Sequence, residues 1–196
     1  MNKFLLTILA MATFMGGHSQ TLRNKVTTGN DVFTVVYSEF LEQPLNVKYS
    51  ITNPNGTASR KGMNFYKNDS IHTSDNDDYK YNEWDKGHMA PAADFNCDTE
   101  TLRKTFSYLN CALQHKGLNR GPWKELEASE RALAEDFYVY VIITIHFDDE
   151  VGMLPTGARV PTGFTKEIRI DDTTSFIYNF PNSNVAGTPY TYFKYN

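Results

Sequence analysis

The sequence predicts a single domain of the α+β class, on three observations. Strand-like segments lie towards both ends, with helix-like segments between them, so the order is mixed and lacks the regular alternation of βαβ winding. The run 137–147 is continuously apolar and aromatic, as in a central strand buried on both faces. Tyr (12) and Phe (13) are abundant, which favours a sheet. A chain of 196 residues is long enough to bury a real core as one domain.

The elements follow in order. Lys3 opens an apolar run from Phe4 to Met15, followed by Gly16, Gly17 and Ser19. That run is too short to span a bilayer comfortably and has the pattern of a secretory signal, expected to occupy residues 1–20. The expected domain is then 21–196, soluble and secreted or periplasmic, with no membrane contact in the mature form. The segment 46–52 alternates through Val47, Tyr49 and Ile51 and predicts a strand. Asn53-Pro54-Asn55-Gly56 is a turn signal, and 69–78, polar and acidic, predicts a surface loop. The spacing of Leu102, Phe106 and Leu109 predicts a helix over 99–109. Gly121-Pro122-Trp123 predicts the start of a second helix, running to about Glu135 with Trp123, Leu126 and Leu133 on its buried side. Two further strands are expected at 163–170 and 175–180, joined by a turn at Asp171-Asp172.

Charge alone does not identify a partner. The formal net charge is −4, which argues mildly against nucleic acid, yet a local cleft can be basic on an acidic protein. Cys97 and Cys111 are compatible with either a disulfide or two free thiols. No CxxC or HxxxH spacing suggests zinc.

The segment Asp85-Lys86-Gly87-His88-Met89-Ala90-Pro91-Ala92-Ala93-Asp94-Phe95 is the most informative stretch. Read from its residues, His88 stands at the end of a strand entering a loop, either as a reactive group or as a structural histidine bonded to backbone. Further motifs follow at ordered separations. They are Tyr108-Leu109-Asn110 with Gln114; Leu118-Asn119 with Gly121, Trp123 and Leu126-Glu127; Val160-Pro161-Thr162-Gly163-Phe164 with Lys166; and Phe180-Pro181-Asn182. Arg60 lies about thirty residues before His88.

Together these resemble the DNA/RNA non-specific endonucleases, of the ββα-metal (His-Me finger) group, whose DRGH motif corresponds to Asp85–His88. The resemblance runs from about Tyr49 to Asn182. It implies a central, mainly antiparallel sheet flanked by helices, and a hydrolase acting on DNA and RNA phosphodiesters with Mg²⁺, Mn²⁺ or another divalent cation. It departs from the family pattern at Lys86, which keeps the charge of the usual Arg but loses its bidentate fork. It also departs at Leu113 and at Thr144-Ile145-His146.

By that resemblance, His88 is the general base. A neutral imidazole can take a proton from water, an effect of about 10²–10⁴-fold. Asn119 is the implied metal ligand through its carboxamide oxygen; read without the family it is a helix N-cap beside Gly121. Glu127 is implied to bond the ion's water shell, and at spacing i, i+4, i+8 Asn119, Trp123 and Glu127 fall near one face if the helix begins early enough to include Asn119. Arg60 is implied to neutralise transition-state charge, Lys86 to hold phosphate, and Asn110 to position the His loop or the metal waters. His72, His115 and His146 match no motif and read as structural or exposed. A mechanism that contacts phosphate rather than base edges carries little sequence information, so broad specificity is expected. The competing readings are a catalytically weak or silent nucleic-acid-binding relative and a secreted structural or adhesion domain; the latter leaves the ordered motifs unexplained.

Overall fold

The computed structural model describes residues 25–52, 54–148, 152–171 and 173–195; the expected signal segment 1–20 lies outside them. Nine strands are described: β1 (Lys25–Gly29), β2 (Phe33–Ser38), β3 (Gln43–Ile51), β4 (Trp84–His88), β5 (Cys111–His115), β6 (Val139–His146), β7 (Gly163–Ile170), β8 (Thr174–Pro181) and β9 (Lys194–Tyr195). The helices are α1 (Thr99–Lys104), the short α2 (Lys116–Leu118) and α3 (Lys124–Leu133).

Seven strands form one sheet in the order β1-β2-β3-β6-β7-β8-β9, and the described neighbours pair antiparallel. Alternation sends Val35, Tyr37, Val47, Tyr49, Val141, Ile143, Phe164, Ile168 and Phe180 to one face, where they are buried. Met89, Ala112, Leu118, Trp123 and Leu126 pack into the same core. These five come from the β4–β5 hairpin, the turn after it and α3. A ββα unit therefore sits on that face, and each large apolar side chain it buries there contributes about 1.5–3 kcal/mol.

Buried polar groups fasten this unit to the sheet. The Gln43 side chain accepts from Leu113 N at 2.9 Å, and Asn182 accepts from His115 N at 2.8 Å while donating to the carbonyls of Leu113 and Pro161. The two amides satisfy one edge of β5, which would otherwise carry unpaired buried backbone groups. On α3, fully buried Glu130 meets fully buried Lys166 of β7 at 2.9 Å and accepts from the Tyr49 hydroxyl at 3.2 Å. The Lys166 ammonium also lies 4.5 Å from the centre of the Trp123 ring.

Several sequence expectations need correction. The run 137–147 is not buried on both faces. Phe137 and Tyr138 are exposed, and within β6 buried Val139, Val141, Ile143 and Ile145 alternate with half-buried Tyr140, Ile142 and Thr144. The ββα unit covers one face, so the reverse side of β6 meets solvent. The helix expected over 99–109 stops at Lys104. Asp98 caps its start by accepting from Thr101 N at 2.8 Å. Beyond it, Ser107 caps a new turn at Tyr108–Asn110 that feeds β5. Leu102 and Phe106 consequently join a small cluster with Ala92, while Leu109 enters the main core. The loop 69–78 is only partly a surface feature, because Thr73, Ser74 and Asp78 are buried. Strands β1 and β2 and the β4–β5 pairing were not foreseen.

Candidate active site

The backbone of β4 delivers Asp85, Lys86 and His88 to one end of the hairpin. Its register requires Gly87: a Cβ there would lie 2.4 Å from Gln114 Oε1 and 2.7 Å from Gln114 Cβ. The chain then turns inward at Met89 and Ala90, both fully buried. Asn110 makes that turn rigid. Its side chain accepts from Ala90 N at 2.8 Å and donates to the Ala90 and Thr105 carbonyls at 2.9 Å each.

The His88 ring is held between aromatic neighbours. Phe65 lies 4.7 Å away, centre to centre, and Phe106 meets the ring edge-to-face at 4.9 Å. His88 Nε2 is buried without a hydrogen-bond partner. Burial, with the Arg60 charge adding to it, pushes the imidazole pKa down to about 3. The ring is therefore neutral at physiological pH and able to accept a proton.

Asn119 comes from a different kind of local structure. The segment Asn119–Trp123 is a wide turn between α2 and α3, broken by Gly121 at φ −106°, ψ −117°. Asn119 itself is helical and does not cap α3; its Nδ2 donates to Asp85 Oδ2 at 2.9 Å. A carboxylate can only accept, so the amide nitrogen must face Asp85, leaving the carboxamide oxygen on the other arm of the planar group. Arg120 donates to the same carboxylate from Nε at 2.8 Å and from Nη2 at 2.6 Å. Burial works to raise the Asp85 pKa, but the bonds from Arg120 and Asn119 outweigh it and hold the group ionised. The expected common face of Asn119, Trp123 and Glu127 is not realised: Trp123 is fully buried against Phe164 and Phe180, and the break at Gly121 turns Asn119 and Glu127 together elsewhere.

Arg60, Lys86, His88, Asn119 and Glu127 all line one open cavity of about 670 Å³. Met63, Phe65, Pro91, Ala92, Ala93 and Phe106 form its apolar wall, and Arg120, Lys124 and Arg131 add cations. Asn110 does not line it and stands behind the His88 loop. Lys86 lies 5.5–5.7 Å from the ring centres of Phe65, Tyr79 and Tyr108 and donates to Asn76 Oδ1, so its ammonium already has partners. Burial pushes Glu127 up to about 8 and Asp94 up to about 7, the latter despite Arg131 at 2.8 Å. Among the described residues no three His, Cys, Asp or Glu side chains converge on a common metal position. The available donors are the Asn119 oxygen and, once deprotonated, the Glu127 carboxyl group: hard oxygen donors that suit a largely hydrated Mg²⁺-like ion.

The sequence reading placed none of Asp85, Phe65, Phe106 or Lys124 in the site. Asp85 was visible as the first residue of the motif and Phe106 as part of an apolar stripe; Phe65 and Lys124 carry no local signal. His115 is buried, accepting from Gly117 N at 2.9 Å and facing Glu83, while His72 and His146 are exposed. Both cysteines are free thiols, Cys97 exposed and Cys111 buried.

A one-faced antiparallel sheet carrying a ββα unit, with a histidine and an asparagine lining one cavity rich in cations, defines a ββα-metal nuclease architecture. The model of the DNA/RNA non-specific endonuclease family matches residues 13–196, and the chain belongs to that family. It is 36% identical over 85 residues to a mitochondrial EXOG nuclease of Danio rerio, covering 42% of this chain and 25% of that protein. It is 33% identical over 90 residues to mitochondrial endonuclease G of Bos taurus, covering 44% of this chain and 30% of that protein. The matched segment thus spans under a third of either relative's length. The solved complex of EndoG with EndoGI contains a chain that superposes with a TM-score of 0.76 at 27% identity, over 87% of this chain and 80% of that one.

Proposed function

We propose that this chain is an exported, divalent-metal-dependent endonuclease that hydrolyses DNA and RNA phosphodiesters with little sequence preference. The observation that carries the reading is the shared cavity of His88, Asn119, Glu127 and Arg60.

In this mechanism His88, neutral and lining the cavity, takes a proton from the attacking water. Phe65 and Phe106 keep the imidazole at one angle and exclude competing water. Arg60, exposed at the cavity wall, binds the scissile phosphate and offsets the charge that grows on its oxygens. Asn119 would hold the cation through the oxygen left free by its bond to Asp85, and Glu127 would accept hydrogen bonds from the ion's water shell. The cation, when bound, supplies Lewis-acid stabilisation of phosphate charge. Asn110 acts on none of the reacting groups directly; it fixes the backbone turn that carries His88. The roles assigned here act on the phosphate rather than on base edges, which supports broad specificity. Export rests on the Lys3-led apolar segment.

Purified protein incubated with plasmid DNA and with total RNA, with Mg²⁺ and with EDTA, tests the reading. Metal-dependent loss of both substrates is expected. Failure to cut either one over a range of divalent cations would favour a silent nucleic-acid-binding relative.

A further inference from the structure

Five cations line the cavity, on a chain whose formal net charge is −4. Three already have partners. Arg120 is bidentate to Asp85, Arg131 is paired with buried Asp94, and Lys86 donates to Asn76 amid three aromatic rings. Arg60 and Lys124 remain, both exposed and, among the described residues, with no acidic partner. Arg60 stands close enough to His88 to influence its ionisation. Lys124 opens α3, on the stretch of chain that also carries Asn119 and Glu127. A cation in the first turn of a helix opposes the helix dipole, at a cost of about 0.3–1 kcal/mol. Its position therefore does not serve the helix.

We infer that Lys124 is a second phosphate-binding residue: it holds a backbone phosphate next to the one bound by Arg60, so the site grips two linkages of a nucleic-acid strand. The inference rests on the proposed nuclease reading and narrows it to polymeric substrates, gripped at more than the scissile phosphodiester. Lys124 neither activates water nor holds the cation. Its contribution is to affinity and to its salt dependence.

The test is fluorescence anisotropy of a labelled duplex 20-mer in EDTA, where binding is read without cleavage, from roughly 50 to 200 mM salt. Lys124→Ala is expected to reduce the log–log salt slope by about 0.9, the value for one lost phosphate contact, so that the affinity ratio to wild type changes about threefold across that range. Lys124→Arg should restore the slope. Lys48→Ala, an exposed lysine that does not line this cavity, should leave it unchanged. An unaltered slope for Lys124→Ala in a wild type that binds DNA overturns the inference and leaves the nuclease reading standing. An equal loss with Lys48→Ala also overturns it, because the effect is then one of net charge. A wild type with no salt-dependent binding overturns the inference too, and the nuclease reading then stands or falls on the cleavage assay.

Discussion

Replacing Asp85 with Ala isolates the group that orients the proposed metal ligand. Asp85 makes three bonds: to Asn119 Nδ2 at 2.9 Å and to Arg120 Nε and Nη2 at 2.8 and 2.6 Å. The Arg120 side chain is 70% exposed, so the ion pair contributes at most about 1 kcal/mol to stability. At about 2–4 °C per kcal/mol for a domain of this size, the melting temperature should fall by no more than about 4 °C. The effect on the metal is larger. Without Asp85 the Asn119 amide is free to rotate, and loss of such a partner behind a ligand costs about 10–100-fold in metal affinity. Cleavage rate is to be measured against Mg²⁺ concentration for wild type, Asp85→Ala and Asp85→Asn, with circular dichroism as the folding control. The half-saturating Mg²⁺ concentration should rise about 10–100-fold in Asp85→Ala, with much of the rate recovered at saturation. Asp85→Asn keeps an oxygen that can accept from Asn119 and should fall between the two. A folded Asp85→Ala enzyme with wild-type Mg²⁺ dependence would refute the argument that this carboxylate positions the ligand.

The other predictions concern the base, the pH response and the anchor beneath the site. His88→Ala should lower cleavage by about 10²–10⁴-fold while Mg²⁺ binding, read by isothermal calorimetry, persists; a folded variant with near-normal activity would remove His88 from its role. Because its folded pKa lies near 3, below the unfolded value of about 6.5, the folded state disfavours His88 protonation. Its contribution is intact above pH 6.5 and is lost as pH falls towards 3, by about 1.4 kcal/mol per unit. Urea midpoints for His88→Asn should therefore decline less than wild type from pH 6.5 to 4, and parallel curves would contradict the assignment. Asp94 and Glu127, with folded pKa values raised to about 7 and 8, act in the opposite direction, each losing stability as pH rises from about 4 through those values. Lys166→Met leaves buried Glu130 without its cation and should cost about 3–5 kcal/mol, a melting shift of about 6–20 °C. Lys166→Met with Glu130→Leu should recover much of it, and a single-variant shift under 2 °C would show that the pair does not anchor α3. N-terminal sequencing of exported protein should begin near Gln20 or Thr21; an intact Met1 would contradict the signal segment.

What the sequence determined by itself was the chemistry on offer and most of the regular structure. Period-two alternation located β3, and strand-like runs placed β7 and β8, to within a few residues, because such patterns are written locally in the chain. Gly121-Pro122-Trp123 marked the approach to α3 for the same reason. The ordered motifs named His88, Asn119, Glu127 and Arg60, and the family match over residues 13–196 agrees with the family they suggested. The tertiary structure alone decided how those residues meet. A helical wheel puts Asn119, Trp123 and Glu127 on one face, but the non-helical backbone at Gly121 sends Trp123 into the core and leaves the other two at the cavity. The one-sided burial of β6 depended on what covers each face of the sheet, which no local pattern encodes. The role of Asn110 could not be separated from catalysis until its bonds to Ala90 and Thr105 were seen. Phe65 and Lys124 carry no signal at all in one dimension, since a lone aromatic and a helical lysine are ordinary residues. Phe65 reaches His88 across 23 positions of chain, and two of the site's acids, Asp85 and Asp94, are bonded to the arginines at positions 120 and 131 rather than to Lys124. Pairings between distant residues are settled when the chain closes on itself, and the character of this cavity is made of such pairings.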